Sequence, residues 1–154
     1  MIISIKKKAR IAGALYGVVV LTGIFSLAYI PSRFIIWDDP AHTFNTIKES
    51  ELLFRLGIVS SVVCYVCFLF LPLALYKLLK PVDEFYAKLM VVLALVSVPI
   101  SFINIQNKLA VLSIIHPQNK AVWTAHQLQS QVLFYLNQYD SGILIVSIFW
   151  GLWL

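Results

Sequence analysis

Four long, predominantly apolar stretches separated by short polar segments set the plan of this chain. Residues 56–76 run for 21 positions without a charged side chain, opened by Glu49, Glu51 and Arg55 and closed by Lys77, Lys80 and Pro81. As a helix, such a run rises about 1.5 Å per residue and covers the ~30 Å hydrocarbon core of a bilayer. The plan repeats on either side, and the pattern predicts an all-α integral membrane helical bundle. Its four transmembrane helices fall over roughly 9–29, 52–79, 85–112 and 132–154, within a single transmembrane helical domain covering 1–154. Pro31 is expected to end the first helix, and residues 32–50 to form an interfacial loop. Thr46, with Glu49 three residues later, is placed to cap the start of the second helix. Pro72 is placed to kink that helix. Residues 116–131 read as a second interfacial segment.

Composition strengthens this picture. The chain is 60% hydrophobic and 12% charged, with mean hydropathy +0.87. Soluble domains carry about a quarter charged residues. The net charge of +5 sits at the ends of apolar runs, where it serves as a topology signal rather than a nucleic-acid surface. Lys6, Lys7, Lys8, Arg10, Lys77, Lys80 and Lys88 fall on one side of the predicted bundle, against Arg33, Lys48, Arg55, Lys108 and Lys120 on the other. The positive-inside rule then puts the N-terminus in the cytoplasm. Ser26-Leu27-Ala28 has the look of a signal-peptidase site, so a removable leader is the alternative. The 20-residue run of 11–30 is long enough to span, and favours a retained helix.

Polar groups at membrane depth are the candidate chemistry. Ser97, Ser101, Asn104 and Lys108 fall within about 60° of one another on the third helix. Asp140 lies about 13 Å into the fourth helix, with Asn137 and Ser141 on its face. Arg55 enters from the same side. Arg55, Asn104, Lys108, Asn137, Asp140 and Ser141 therefore form a candidate polar pocket in the outer half of the bilayer, in which Asp140 pairs with Arg55 or Lys108. Glu51, four residues before Arg55, competes for it.

Other constellations are weaker. Cys64-Tyr65-Val66-Cys67 has redox spacing, but the run is apolar and holds no second cysteine pair. His42, His116 and His126 are low-prior zinc ligands, since no tight ligand pair such as H-E-x-x-H occurs. No phosphate loop, nucleophile elbow or nucleic-acid motif is present. The expected cofactor is none and the expected partners are membrane lipids. Ala9, Gly13 and Gly17 form a small-xxx-small stripe suited to another helix or a second copy.

Four segments carry a resemblance to a known family. They are Ala9-Arg10-Ile11-Ala12-Gly13, the 49–57 stretch ESELLFRLG, the 75–82 stretch LYKLLKPV, and residues 142–154 with Phe149-Trp150-Gly151-Leu152. In these the chain resembles the bacterial multi-pass membrane proteins catalogued as domain of unknown function 4386. The resemblance implies architecture and location, and about two more helices than this chain has; with the bare Phe149–Leu154 ending, it reads as a fragment of a longer bundle. It implies no activity. The first reading is a non-enzymatic membrane protein of unknown role. A small transporter or proton/ion-coupled carrier comes second, and an intramembrane thiol-redox or metal-dependent enzyme third.

Overall fold

A computed structural model describes residues 5–116 and 123–153 of the chain. Lys120 and Leu154, both used in the sequence reading, lie outside them. In order, α1 spans Ile5–Gly23, a π-helical segment spans Ile24–Tyr29, and α2 spans Ile30–Phe34. Then follow α3 (Pro40–Glu49), α4 (Glu51–Leu79), α5 (Glu84–Ile115) and α6 (Ala125–Trp153). Among the described residues, four continuous helical stretches are long and apolar enough to cross a membrane: Ile5–Phe34, Glu51–Leu79, Glu84–Ile115 and Ala125–Leu152. Large apolar side chains stand exposed around them, Leu21, Ile24, Ile103, Leu144 and Ile148 among them. Lipid tails can cover such a surface and water cannot.

Pro31 does not end the first helix, contrary to expectation. Proline removes one main-chain donor and clashes with the carbonyl four residues back. The π-helical segment absorbs this by sliding the hydrogen-bond register one residue: the Ile30 N–H goes to the Phe25 carbonyl. Regular α-helix resumes through Pro31, where Ile35 N donates to Pro31 O at 2.9 Å.

The expected interfacial loop is mostly helix. Asp39 caps α3 by accepting from His42 N at 2.8 Å, and Pro40 supplies the preset first turn. Thr46 is inside α3, its hydroxyl donating to His42 O, and caps nothing. Ser50 is the residue before α4 and offers no side-chain cap. The corner between α2 and α3 is held by Thr43. Its buried hydroxyl accepts from Ile36 N at 2.9 Å and donates to Ile36 O at 3.0 Å. Of the expected second interfacial segment, residues 125–131 are the first turns of α6, while 117–122 lie outside the described residues.

Consecutive spans pack side by side: the first along α4, α4 along α5, and α5 along α6, with α3 lying on α6. Small residues let the backbones approach. A Cβ at Gly57 would sit 2.8 Å from Ile30 Cγ1, and one at Gly142 would collide with the Asn104 side chain. Ser60 Oγ donates to Thr22 O at 3.1 Å, and Cys64 Sγ to Val19 O at 3.5 Å, tying α4 to the first span. Among the described residues, no extended packing joins the first span to α6. The seam between them is where the polar groups gather.

Candidate functional site

The polar face predicted on α5 is buried along its length, with Ser97, Ser101, Asn104 and Lys108 all inside the bundle. The two serines turn back on their own helix, donating to Ala94 O and Ser97 O. Asn104 crosses to α6: Nδ2 donates to Tyr139 O at 2.8 Å, while Oδ1 accepts from Asn107 at 3.0 Å. This bond depends on Gly142, whose missing side chain makes room for the amide.

Lys108 is the unusual member. It is 2% exposed, and about 10 Å separates it from the Ile115 end of its helix. Nζ reaches the Ser26 carbonyl at 3.4 Å and lies 4.0 Å from the centre of the Tyr139 ring. The π segment explains why Ser26 is the acceptor. In α-helical register its carbonyl would take the Ile30 N–H, but that donor is bonded to Phe25 O. In π register it would take the N–H of residue 31, and Pro31 has none. The orphaned carbonyl faces the bundle and the ammonium meets it. The Tyr139 ring adds a cation–π contact, and its hydroxyl lies 3.4 Å from that of Tyr65.

Above Lys108 is a cavity of about 80 Å³. Leu27, Ile30 and Phe34 wall it from the first span, and Leu136, Tyr139, Asp140 and Ile143 from α6. Phe54 closes it from α4, and Trp37 stands at the corner that Thr43 holds.

The six residues of the predicted pocket divide. Lys108 and Asp140 line the same cavity, and Asn104 is buried one turn away from Lys108. Asp140 forms no ion pair with Lys108 or Arg55 among the described residues. Arg55 Nε is bonded to Glu51 Oε1 at 2.6 Å, and its side chain is 53% exposed. Local pairing on one helix won over the cross-bundle pair because a carboxylate four residues earlier is within reach at no ordering cost. Asn137 lies in a separate depression with Trp37, Pro40 and Ser130, and Ser141 is exposed.

The histidines do not converge. His42, His116 and His126 are exposed, and His116 Nε2 is bonded to Glu51 Oε2, joining the end of α5 to the start of α4. Among the described residues no three His, Cys, Asp or Glu side chains gather in a way that could hold a metal ion. Cys64 is buried, Cys67 is half-buried, and both are free thiols. Ala9 and Gly13 are exposed, and open space surrounds Gly13 and Gly17, so the small-residue stripe is not used for packing inside the chain. At the opposite end of the bundle Glu84 bridges Lys80 and Lys88 at 3.3 and 3.0 Å, and its carboxylate raises the pKa of Lys80.

Sequence reasoning missed three contributors. Ser26 acts through its main chain, so its side chain is no guide. Trp37 reads as part of the interfacial loop, and Tyr139 carries no signal of its own. Pro31, five residues after Ser26, was the available signal, because a proline there removes the donor that a π turn would need.

These features describe a multi-pass membrane protein with a buried lysine lining a small cavity between the first span and α6. The family described as "Domain of unknown function (DUF4386)" matches residues 11–154, and the chain belongs to it. No curated protein and no solved structure matched the chain.

Proposed function

We propose that this is a non-enzymatic protein of the bacterial plasma membrane, a single transmembrane unit with its N-terminus in the cytoplasm. Its working centre is the Lys108 cavity, which binds a small charged solute. One observation carries the reading. An ammonium group 2% exposed lines a cavity, with the Ser26 carbonyl at 3.4 Å and, among the described residues, no carboxylate paired to it. An ion removed from water costs several kcal/mol unless partners replace its hydration, and a lysine at membrane depth is kept where it has a use. The excess of basic residues at the Lys6–Arg10 and Lys77–Lys88 end supports the orientation.

The test is thermal unfolding in detergent against a panel of small acids, amines and amino acids. At least one member is expected to raise the midpoint of the wild type and leave Lys108→Met unmoved. A panel without effect, or an equal response from the variant, contradicts the reading. A second reading, a small ion-coupled carrier, is favoured by Asp140, which adds a second titratable group to the same cavity. Vesicles carrying the protein would then pass the stabilising solute, and Asp140→Asn vesicles would not. Binding without flux in the wild type rejects the carrier.

A further inference from the structure

We infer that the ligand of this cavity is a small zwitterion, its acidic group on Lys108 and its ammonium group on Asp140. This rests on the reading of the cavity as a solute site and narrows it to a chemical class.

Charge balance comes first. The cavity wall carries one ammonium, Lys108, and one carboxylate, Asp140, which are not paired with each other. A lone anion entering would meet Lys108 but leave Asp140 facing like charge, and a lone amine would do the reverse. Lys108 is buried and Asp140 is exposed, so a lone amine leaves the buried ammonium uncompensated and a lone anion leaves the Asp140 carboxylate repelling it. A molecule bearing both signs satisfies both groups and brings no net charge into the membrane.

Donor capacity points the same way. A lysine ammonium has three N–H donors. Here one is directed at Ser26 O, at the long distance of 3.4 Å, and the Tyr139 ring covers another side at 4.0 Å. A carboxylate or phosphate oxygen is the acceptor this arrangement lacks. Trp37 also lines the cavity, and an indole ring attracts a cation.

Size limits the ligand. At roughly 10–15 Å³ per water position, a cavity of about 80 Å³ takes a molecule of about six non-hydrogen atoms. Glycine and alanine are of that size. The remaining wall, from Leu27, Ile30, Leu136 and Ile143, suits a short aliphatic body. A phosphatidylethanolamine head carries the same pair of groups, an ammonium a few atoms from an acidic oxygen, and is the membrane-borne source of this chemistry.

Trp37 on the cavity wall supplies the readout. In phosphatidylglycerol nanodiscs, glycine and alanine are expected to shift tryptophan emission saturably in the wild type, but not in Trp37→Phe. Binding should weaken at least tenfold in both Lys108→Met and Asp140→Asn. Acetate and ethylamine, each carrying half of the ligand, should bind at least tenfold more weakly than glycine. Phosphatidylethanolamine added to the nanodiscs tests the lipid source. If it shifts the emission with the same dependence on Lys108 and Asp140, and blocks glycine, the head group occupies this site and the zwitterion assignment stands. Acetate binding that needs Lys108 and is unaffected by Asp140→Asn would overturn the zwitterion while leaving the cavity a solute site. No response to any of these probes would overturn the zwitterion, and the wider panel above would then decide the site itself.

Discussion

Lys108 Nζ lies 3.4 Å from the main-chain oxygen of Ser26, a contact that joins positions 82 residues apart. The contact exists because Pro31 has no N–H and the preceding π segment has sent the Ile30 donor to Phe25. A backbone irregularity in the first span thus supplies a main-chain acceptor for a charge on the third. Irregular helix turns of this kind recur at functional sites, and here the irregularity has an identifiable use.

Pro31 and Lys108 are therefore expected to be energetically coupled. Pro31→Ala returns an N–H that competes for Ser26 O, leaving the ammonium poorer in acceptors. Replacing a buried charge with an apolar side chain of similar length is often neutral or stabilising. Lys108→Met should accordingly stabilise the Pro31→Ala protein more than the wild type. A coupling of roughly 0.5–2 kcal/mol in a double-mutant cycle of thermal unfolding is the expected size. Additive effects would mean that the proline and the lysine are unrelated.

Gly142 is required by Asn104. Ala at this position would collide with the amide that bonds Tyr139 O, costing about 1–3 kcal/mol through overpacking and a lost buried hydrogen bond. Gly151→Ala is the control, since open space surrounds Gly151. Equal melting temperatures for the two variants would contradict the close approach of α5 and α6.

Thr43 holds the corner on which Trp37 stands. Thr43→Val removes both hydrogen bonds to Ile36; Ile36 O keeps the Asp39 N–H and Ile36 is 46% exposed, so the expected cost is about 0.5–1.5 kcal/mol. The corner should loosen, and Trp37 emission should move to the red. An unchanged spectrum would show that the corner is held by packing alone.

The cysteines are expected to behave as packing residues. Cys67, half-buried, should react with a small alkylating reagent before Cys64, which is buried against the first span. Reductant should leave the intact mass unchanged. An intramolecular disulfide in protein prepared without oxidant would restore the redox reading.

Much of this was legible in the chain. The four apolar stretches needed only length and hydropathy, because a bilayer imposes the same thickness on every span. The 100° spacing of Ser97, Ser101, Asn104 and Lys108 marked the face that α5 turns inward. What the pattern could not carry was context. Asp39-Pro40 is a helix start, but the polar residues around it read as loop. Arg55 has two candidate carboxylates, and only the fold shows that Glu51 on its own helix holds it. Pro31 looked like a stop because the register shift that accommodates it lies in the residues before it. The acceptor for Lys108 is a main-chain oxygen, to which no side-chain pattern points.

Native mass spectrometry of the detergent-released protein, wild type beside Lys108→Met, tests the central claim most directly. The wild type is expected to retain a small zwitterionic molecule or phosphatidylethanolamine at unit stoichiometry, and the variant to lose it. A bare wild-type chain, an adduct that survives in Lys108→Met, or a bound metal or quinone would contradict the account.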